Sequence, residues 1–348
     1  MLPTGSGLST LVAARMMGNS AAETRQRLAA TSQELTTGRR ADPVRALGPG
    51  TRTLMSLETE RRAADAYLDT TKLVMTRIGA METALETVAS DLPRLAADAL
   101  GAGTRGDLPA MEAQGTDAQA ALVRIVSALN TQTGGRYLFS GAATDTAPLA
   151  GADAVNQVLQ DRLAATTGTL QTQADADALA ADLDLAFEDA GPGGPNTFTG
   201  TVYLGDTGAR VAADVGPGQR VAYGVRADNP AVRDLLKGLA MIVRAGDSKT
   251  PDHAQARARL IELGANRIQA GLDALTGVRA ELGTAAREIE DAGKRHDAAR
   301  GALDTRIAGL VGVDPYEAAS ELRALESQLE TTYLITGRLQ NLTLTRFL

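Results

Sequence analysis

Few side chains in this chain of 348 residues could carry out chemistry. Cysteine is absent, and neither of the two histidines, His253 and His296, stands at metal-ligand spacing from a group of carboxylates. Asp175 and Asp177 form the first of two acidic pairs. Both pairs lack the glycine and the distal glutamate of a calcium-binding loop. None of the glycine-rich, nucleophile-elbow or paired-histidine motifs of enzymes occurs. We therefore predict that the protein is not an enzyme and has no catalytic residue, cofactor or metal.

Acidic charge is concentrated in the middle of the chain. Residues 145–200 contain nine acidic residues and a single basic one, Arg162, within a chain whose formal net charge is -7. The remainder is close to neutral, and it has no strongly basic stripe of the kind that binding to phosphate requires. We therefore predict no nucleic-acid partner, and we interpret the acidic middle as a segment that faces solvent.

The N-terminal region does not have the pattern of a cleavable export signal. Residues 2–14 are interrupted by serine, threonine and glycine, and the first basic residue is Arg15. No run in the chain approaches the ~18 apolar residues of a membrane span. We predict no membrane insertion, and expect residues 1–18 to be disordered until a partner orders them, with helix beginning near Asn19. The protein should stay in the cytoplasm or leave by a route without a classical signal.

Apolar residues at alternating spacings of three and four predict long helices that pack as coiled coils. Such a stripe is too narrow to be buried by its own helix, so it must lie against another helix. The other helix could come from the opposite end of the chain or from a neighbouring copy, and either arrangement predicts a rod. The predicted assembly-interface residues are Leu28, Leu35, Ile78, Leu85, Leu92, Leu322, Leu325, Leu329, Leu339, Leu342, Phe347 and Leu348.

The predicted fold is mainly α, with long coiled-coil helices from both chain ends forming a rod and a small α+β insert between them. In the insert, two short helices precede three segments with alternating apolar residues, which predict a three-stranded antiparallel meander. The predicted domains are a terminal coiled coil (1–50 and 311–348), a helical rod (51–144 and 229–310) and the insert (145–228).

Prolines mark several predicted helix boundaries. Pro93 lies inside a long helical pattern and should break that helix, because proline has no amide hydrogen and crowds the preceding turn. Asn229-Pro230, Thr250-Pro251 and Asp314-Pro315 each combine a capping side chain with a proline in the first turn.

The most specific string is NTQTGGRYLFSG at residues 130–141, which predicts a helix end, a reversal at two glycines and a short aromatic strand. By itself, this pattern could be an ordinary capped turn. Its order along the chain nevertheless resembles the flagellin family, and within it the hook-associated protein 3 group. The positions that carry this resemblance are Asn130, Gly135, Tyr137, Leu138, Phe139, Ser140, Gly141, Asp314 and Pro315.

Other strings support the resemblance, which covers roughly residues 8–145 and 265–348. They are Leu35 to Arg40 followed by Asp42-Pro43, the pair Leu282-Gly283, and the leucine-rich end from Leu342 to Leu348. The segment at Asp42 departs from the family, because it is shortened and has one acid where two are usual.

The resemblance implies a structural component of the bacterial flagellum that joins hook to filament. It implies that the chain ends pair as a coiled coil and that the insert projects outward. The implied partners are further copies in a ring, hook-associated protein 1, flagellin and an export chaperone. The implied location is extracellular, on the flagellum, reached by flagellar export without a cleaved signal peptide. A filament flagellin subunit is the alternative, although the YLFSG string and the short insert favour the junction protein.

Overall fold

The computed structural model describes residues 6–166, 168–189 and 197–344, and the chain divides into two compact units. The terminal unit contains the chain up to Ala66 and from His296 onward, whereas the central unit is Tyr67–Arg295. Long helices dominate both units, which confirms the predicted fold class. The predicted division into three domains stays a prediction.

The terminal unit is built mainly from the two ends of the chain. Its first helix is α1 (Ser6–Thr37), its last is α10 (Pro315–Leu344), and the two pack along each other. The short helix α2 (Pro43–Leu47) and a 3-10 turn (Gly48–Gly50) lead into α3 (Thr51–Ala89). The unit also contains the end of α9 (Ala254–Val311).

Helix α1 begins earlier than the sequence predicted. The expectation of disorder up to residue 18, with helix from near Asn19, is wrong for residues 6–18, which are helical. Residues 8–17 include two leucines, two alanines, two methionines and one arginine, which favour helix strongly enough to outweigh one serine and one threonine. Residues 1–5 lie outside the described part of the chain.

The remaining helices belong to the central unit. The break predicted at Pro93 is confirmed, because α3 ends at Ala89 and the next helix has proline in its first turn. Asn229 caps a central helix as predicted, its side chain accepting a hydrogen bond of 3.0 Å from the amide of Ala231. In chain order the helices are α4 (Leu92–Arg105), α5 (Leu108–Leu129), α6 (Ala152–Thr166), α7 (Gln173–Phe187) and α8 (Pro230–Ala245).

The cap predicted at Thr250-Pro251 is wrong, since α9 begins only at Ala254. The Thr250 hydroxyl donates to the carbonyl oxygen of Asp247 at 2.8 Å and lies 3.1 Å from Asp252 Oδ2. These contacts hold Thr250 in the turn after α8, so its side chain does not cap the next helix.

Two small antiparallel sheets occur in the described part of the central unit. The first pairs β1 (Gln132–Thr133) with β2 (Arg136–Tyr137), and the second pairs β3 (Ala212–Gly216) with β4 (Gln219–Ala222). The predicted meander therefore has two strands, not three. Its first predicted strand, near residues 198–204, instead makes a tight turn in which the amides of Val202 and Tyr203 both donate to the carbonyl oxygen of Phe198.

One continuous apolar core occupies the central unit. It joins side chains from α3 to α9 with the segments around residues 138–149 and 198–225. Helix α8 lies deepest, with twelve of its sixteen residues buried. It approaches α9 so closely that a Cβ atom on Gly238 would lie 2.6 Å from the carbonyl oxygen of Gly264, which explains the glycine there. The elements between residues 145 and 228 thus share a core with the helices.

Candidate assembly site

The seam of α1, meaning the stripe that faces its partner helix, is made largely of small side chains. Ala21, Thr24 and Thr31 are buried, Leu28 is half-buried and Leu35 is exposed. These five residues follow the spacing of three and four that defines a coiled-coil stripe. The hydroxyl of Thr24 donates to the carbonyl oxygen of Ser20 at 2.9 Å, so the buried hydroxyl is satisfied within the helix.

The seam of α10 is only partly covered. Leu325 is buried, with 7% of its surface exposed, whereas the predicted neighbours Leu322 and Leu329 are half-buried. The side chains of Leu339 and Leu342 lie outside the described residues, as do Phe347 and Leu348 entirely. The described part of the α1–α10 pair therefore leaves much of its leucine stripe accessible.

Apart from Leu35, the exposed apolar side chains on these helices were not predicted as interface residues. Tyr316 is 88% exposed, and Leu334 lies eighteen residues later, which is five helical turns and therefore the same face of α10. The regular leucine spacing drew attention to the other face, although the eighteen-residue separation could have revealed this one. Among the side chains that the structure describes, the exposed large apolar residues on α1 and α10 are Met16, Leu35, Tyr316, Tyr333, Leu334 and Ile335.

The two chain segments that lead into α2 and α10 are paired by their backbones. Arg39 and Gly312 form an antiparallel bridge, and the amide of Arg40 donates to the carbonyl oxygen of Val311 at 2.8 Å. Beside this bridge, Asp314 Oδ1 accepts a hydrogen bond of 2.8 Å from the amide of Tyr316, and Pro315 begins α10. The predicted Asp314-Pro315 cap is therefore present, and it fixes where α10 starts.

The predicted interface residues of α3 and α4 have a different environment. Ile78, Leu85 and Leu92 are at most 2% exposed, and they lie in the core of the central unit. Other helices of the same chain cover them. A direct role for these three residues in assembly stays a prediction.

The string at residues 130–141 begins with a side-chain tie. The Asn130 amide group donates to the carbonyl oxygen of Leu149 at 2.9 Å and accepts from the Leu149 amide at 3.0 Å. Gly134 and Gly135 connect β1 to β2 with φ angles of 61° and 74°. Positive φ at both central residues is the requirement of a type I′ hairpin turn, so glycine is needed there.

The second half of the string is buried and tied to later parts of the chain. Leu138, Phe139 and Ser140 are buried, while Tyr137 is half-buried. The carbonyl oxygens of Phe139 and Ser140 accept hydrogen bonds of 2.9 and 2.8 Å from the amides of Ala227 and Asp206.

Gly141 completes this arrangement. Its φ is 67°, and a Cβ atom there would lie 2.8 Å from the carbonyl oxygen of Asp206. The string thus fastens the end of α5 to the segments around 206 and 227, which is a structural role and not a chemical one.

Several acidic residues of the middle segment form structural contacts. Asp175 forms a capping box at the start of α7, and backbone hydrogen bonds from Thr172 and Gln171 lower the pKa of its carboxyl group. Asp177 pairs with Arg259 at 2.8 Å. Among the described residues, no group of three or more histidine or acidic side chains is arranged to hold a metal ion.

The helices of the described ranges also give no candidate membrane span, because none of them is both long enough and apolar enough to cross a bilayer.

Two sequence regions identify the family. Residues 8–144 match the bacterial flagellin N-terminal helical region, and residues 266–348 match the bacterial flagellin C-terminal helical region. Together these regions cover more than half of the chain, so the chain belongs to the bacterial flagellin family. It is a flagellar structural protein, and members of this family assemble into extracellular flagellar polymers.

No curated protein matches the chain. Among solved structures, a protein from Vibrio parahaemolyticus provisionally described as flagellar hook-associated is similar to it at 18% sequence identity and a TM-score of 0.42. The similarity covers 76% of this chain and 95% of that one. The family assignment rests on the two matched sequence regions.

Proposed function

We propose that this chain is a junction subunit between the flagellar hook and the flagellar filament, of the hook-associated protein 3 type. In this role it forms a ring with copies of itself, contacts hook-associated protein 1 on one side and flagellin on the other, and is delivered by an export chaperone. It reaches the outside of the cell through the flagellar export channel without a cleaved signal peptide.

The observation that carries an assembly role is the incomplete cover of the α1–α10 pair. Leu322 and Leu329 are half-buried, and Tyr333, Leu334 and Ile335 are exposed on the same helix. Burying apolar surface contributes roughly 25 cal/mol per Å², so a further helix laid against this pair gains free energy. We propose that neighbouring copies supply that helix.

The choice of a junction over a filament role rests on two features. The string Tyr137 to Gly141 resembles the hook-associated protein 3 group, and charge is distributed unevenly along the chain. A filament subunit must bind its own upper and lower ends, whereas a junction subunit meets two different proteins and can have two different ends. Residues 1–40 have five basic and two acidic residues, while the chain as a whole has a net charge of -7. This asymmetry supports two unlike axial faces.

A deletion strain tests the junction role. We expect complete hooks without attached filaments, and flagellin released into the medium as monomers, because nothing remains to seat the first filament subunits. Electron microscopy of the cells and immunoblotting of the medium check this result. Purified protein that polymerises into long filaments would instead support the filament flagellin alternative.

A charge substitution tests the role of the α10 seam. Leu329→Asp places a carboxylate where it would be buried by a neighbouring copy, at a cost of several kcal/mol. We expect ring assembly and motility to be lost, while the unfolding free energy of the monomer falls by only about 1–2 kcal/mol because Leu329 is half-buried there. Thr331→Asp, at an exposed position of the same helix, is the matched control. Normal assembly by the Leu329→Asp protein would remove this residue from the proposed interface.

A further inference from the structure

Lys237 is a charged residue in the most deeply buried helix of the central unit. It lies on α8 and is only 4% exposed. Its ammonium group lies 2.8 Å from Asp184 Oδ1 on α7 and 2.8 Å from Asp234 Oδ1 on α8 itself. Removing an ammonium group from water costs much free energy unless carboxylates pair with it. Without α7, Lys237 would keep a single carboxylate and lose the second.

Asp184 joins three helices. Besides Lys237 on α8, it contacts Arg267 on α9 through its other carboxylate oxygen. The same helix end is held by Arg233 of α8, which donates to the carbonyl oxygen of Phe187 and stacks 4.5 Å from the ring centroid of Phe198. The charged contacts of α7 with α8 and α9 therefore come from residues that follow it in the chain.

Backbone contacts also tie the middle segment to residues that follow it in the chain. The amide of His253 donates to the carbonyl oxygen of Leu170 at 2.8 Å, and Asp252 accepts from the amide of Leu170 at 2.8 Å. Helices α6 and α7 both pack on α8, and each has only fifteen residues. Isolated helices of that length are marginal in water. The middle segment thus packs on α8 and on the residues that lead into α9, in addition to its contacts with α5.

We propose that the Lys237 ammonium couples α7 and α8 into one cooperative unit, so that the middle segment holds its fold only when α8 is in place. Asp184 is the residue that makes this coupling, because it closes the shell of carboxylates around a buried charge. A consequence for export rests on the route proposed above. Because α8 follows α7 in a chain that leaves the channel from its N-terminus, the middle segment would complete its fold only after α8 had emerged.

Hydrogen exchange on the purified full-length chain tests the coupling. We expect Asp184→Asn to speed exchange about tenfold or more in residues 173–187 and in residues 230–245 alike, because removing one partner of a buried pair destabilises both helices that share it. Asp177→Asn is the matched control, since it makes the same change on the same helix in a pair whose side chains are 48% and 31% exposed. The control should change exchange by less than about twofold.

A second substitution separates the buried charge from a simple packing effect. Adding Lys237→Met to Asp184→Asn removes the ammonium that lost its partner, so the double variant should recover most of the protection in both helices. It also provides a folded protein for comparison if Asp184→Asn alone unfolds. This measurement uses the isolated chain, so its outcome is independent of any flagellar phenotype.

Three results would overturn the proposal. Exchange could rise in α7 alone, Asp177→Asn could have an effect equal to that of Asp184→Asn, or the double variant could exchange as fast as Asp184→Asn or faster.

Discussion

The two units of this protein bury their apolar residues to very different extents. The central unit has a continuous core that includes fully buried aromatic side chains such as Phe139, Phe187 and Tyr203. In the described part of the terminal unit, the apolar cluster outside the α1–α10 pair consists of Leu54, Ile307 and Val311 with a few partly buried neighbours. The terminal helices meet through alanine and threonine as much as through leucine.

We infer from this difference that the central unit is stable by itself, whereas the stability of the terminal unit depends more on partners. A helix pair has one interface, so each seam has cover on one side only, whereas a helix in a bundle is covered from several sides. The central unit buries most of its large apolar side chains within one chain, although some, such as Leu73 and Val123, stay exposed. The terminal unit does so only in part, which is consistent with membership of a family of polymer-forming proteins.

Replacing residues 145–228 with a short Gly/Ser linker should have the largest effect on this comparison. An insert that projects freely would be removable, but α6 and α7 pack on α8 and share the central core. We expect the central unit to lose its cooperative thermal transition and helical content to fall by more than the deleted residues account for. Circular dichroism measures both. A shortened chain that still melts cooperatively would show that the core does not need these residues.

Truncating one large side chain in each unit tests the difference directly. Phe139→Ala should cost about 3–5 kcal/mol of unfolding free energy because the ring is fully buried. Leu322→Ala in the half-buried seam of α10 should cost about 1 kcal/mol in the monomer. Urea unfolding of both variants gives the values. Similar costs would mean that the terminal seam is better packed than its exposure indicates.

Removing the cap of α10 should have a smaller, local effect. Asp314→Ala deletes the acceptor for the amide of Tyr316 and should cost about 1 kcal/mol. We expect faster hydrogen exchange in the first turn of α10 and no change in the central unit. Glu321→Ala, at an exposed position of the same helix, is the control. Equal exchange in the two variants would argue against the cap.

The smallest expected effect is a change in acid sensitivity. Burial of Asp189 raises the pKa of its carboxyl group, but hydrogen bonds from Thr199 and Phe198 and the charge of Arg233 outweigh it and hold the pKa below its usual range. A lowered pKa in the folded state adds stability that is present above the unfolded value of about 4 and is lost as pH falls through the folded pKa.

Asp189→Asn should therefore reduce the loss of stability between pH 7 and pH 3, measured from urea midpoints at both values. Asparagine also tolerates the φ of 56° found at this position, so the substitution preserves the backbone conformation. An unchanged pH dependence would show that other carboxylates determine acid unfolding.

Much of the helical framework was predictable because its signals are local. Asn229-Pro230 and Asp314-Pro315 begin helices where the sequence places them, and Pro93 breaks one. The wrong predictions involve competing contacts at a distance or in a turn. Thr250 is held by Asp247 and Asp252, and the Phe198 segment turns back on its own carbonyl group while its ring enters the core.

The candidate site divides in the same way. The sequence alone indicated the stripes of α3 and α10, the hairpin glycines Gly134 and Gly135, and the resemblance to the flagellin family. It did not distinguish Ile78 and Leu85, which the chain covers completely, from Leu322 and Leu329, which it covers by half. All four follow the same spacing. Spacing defines which face of a helix is apolar, but only the tertiary structure determines how many neighbouring helices pack against that face.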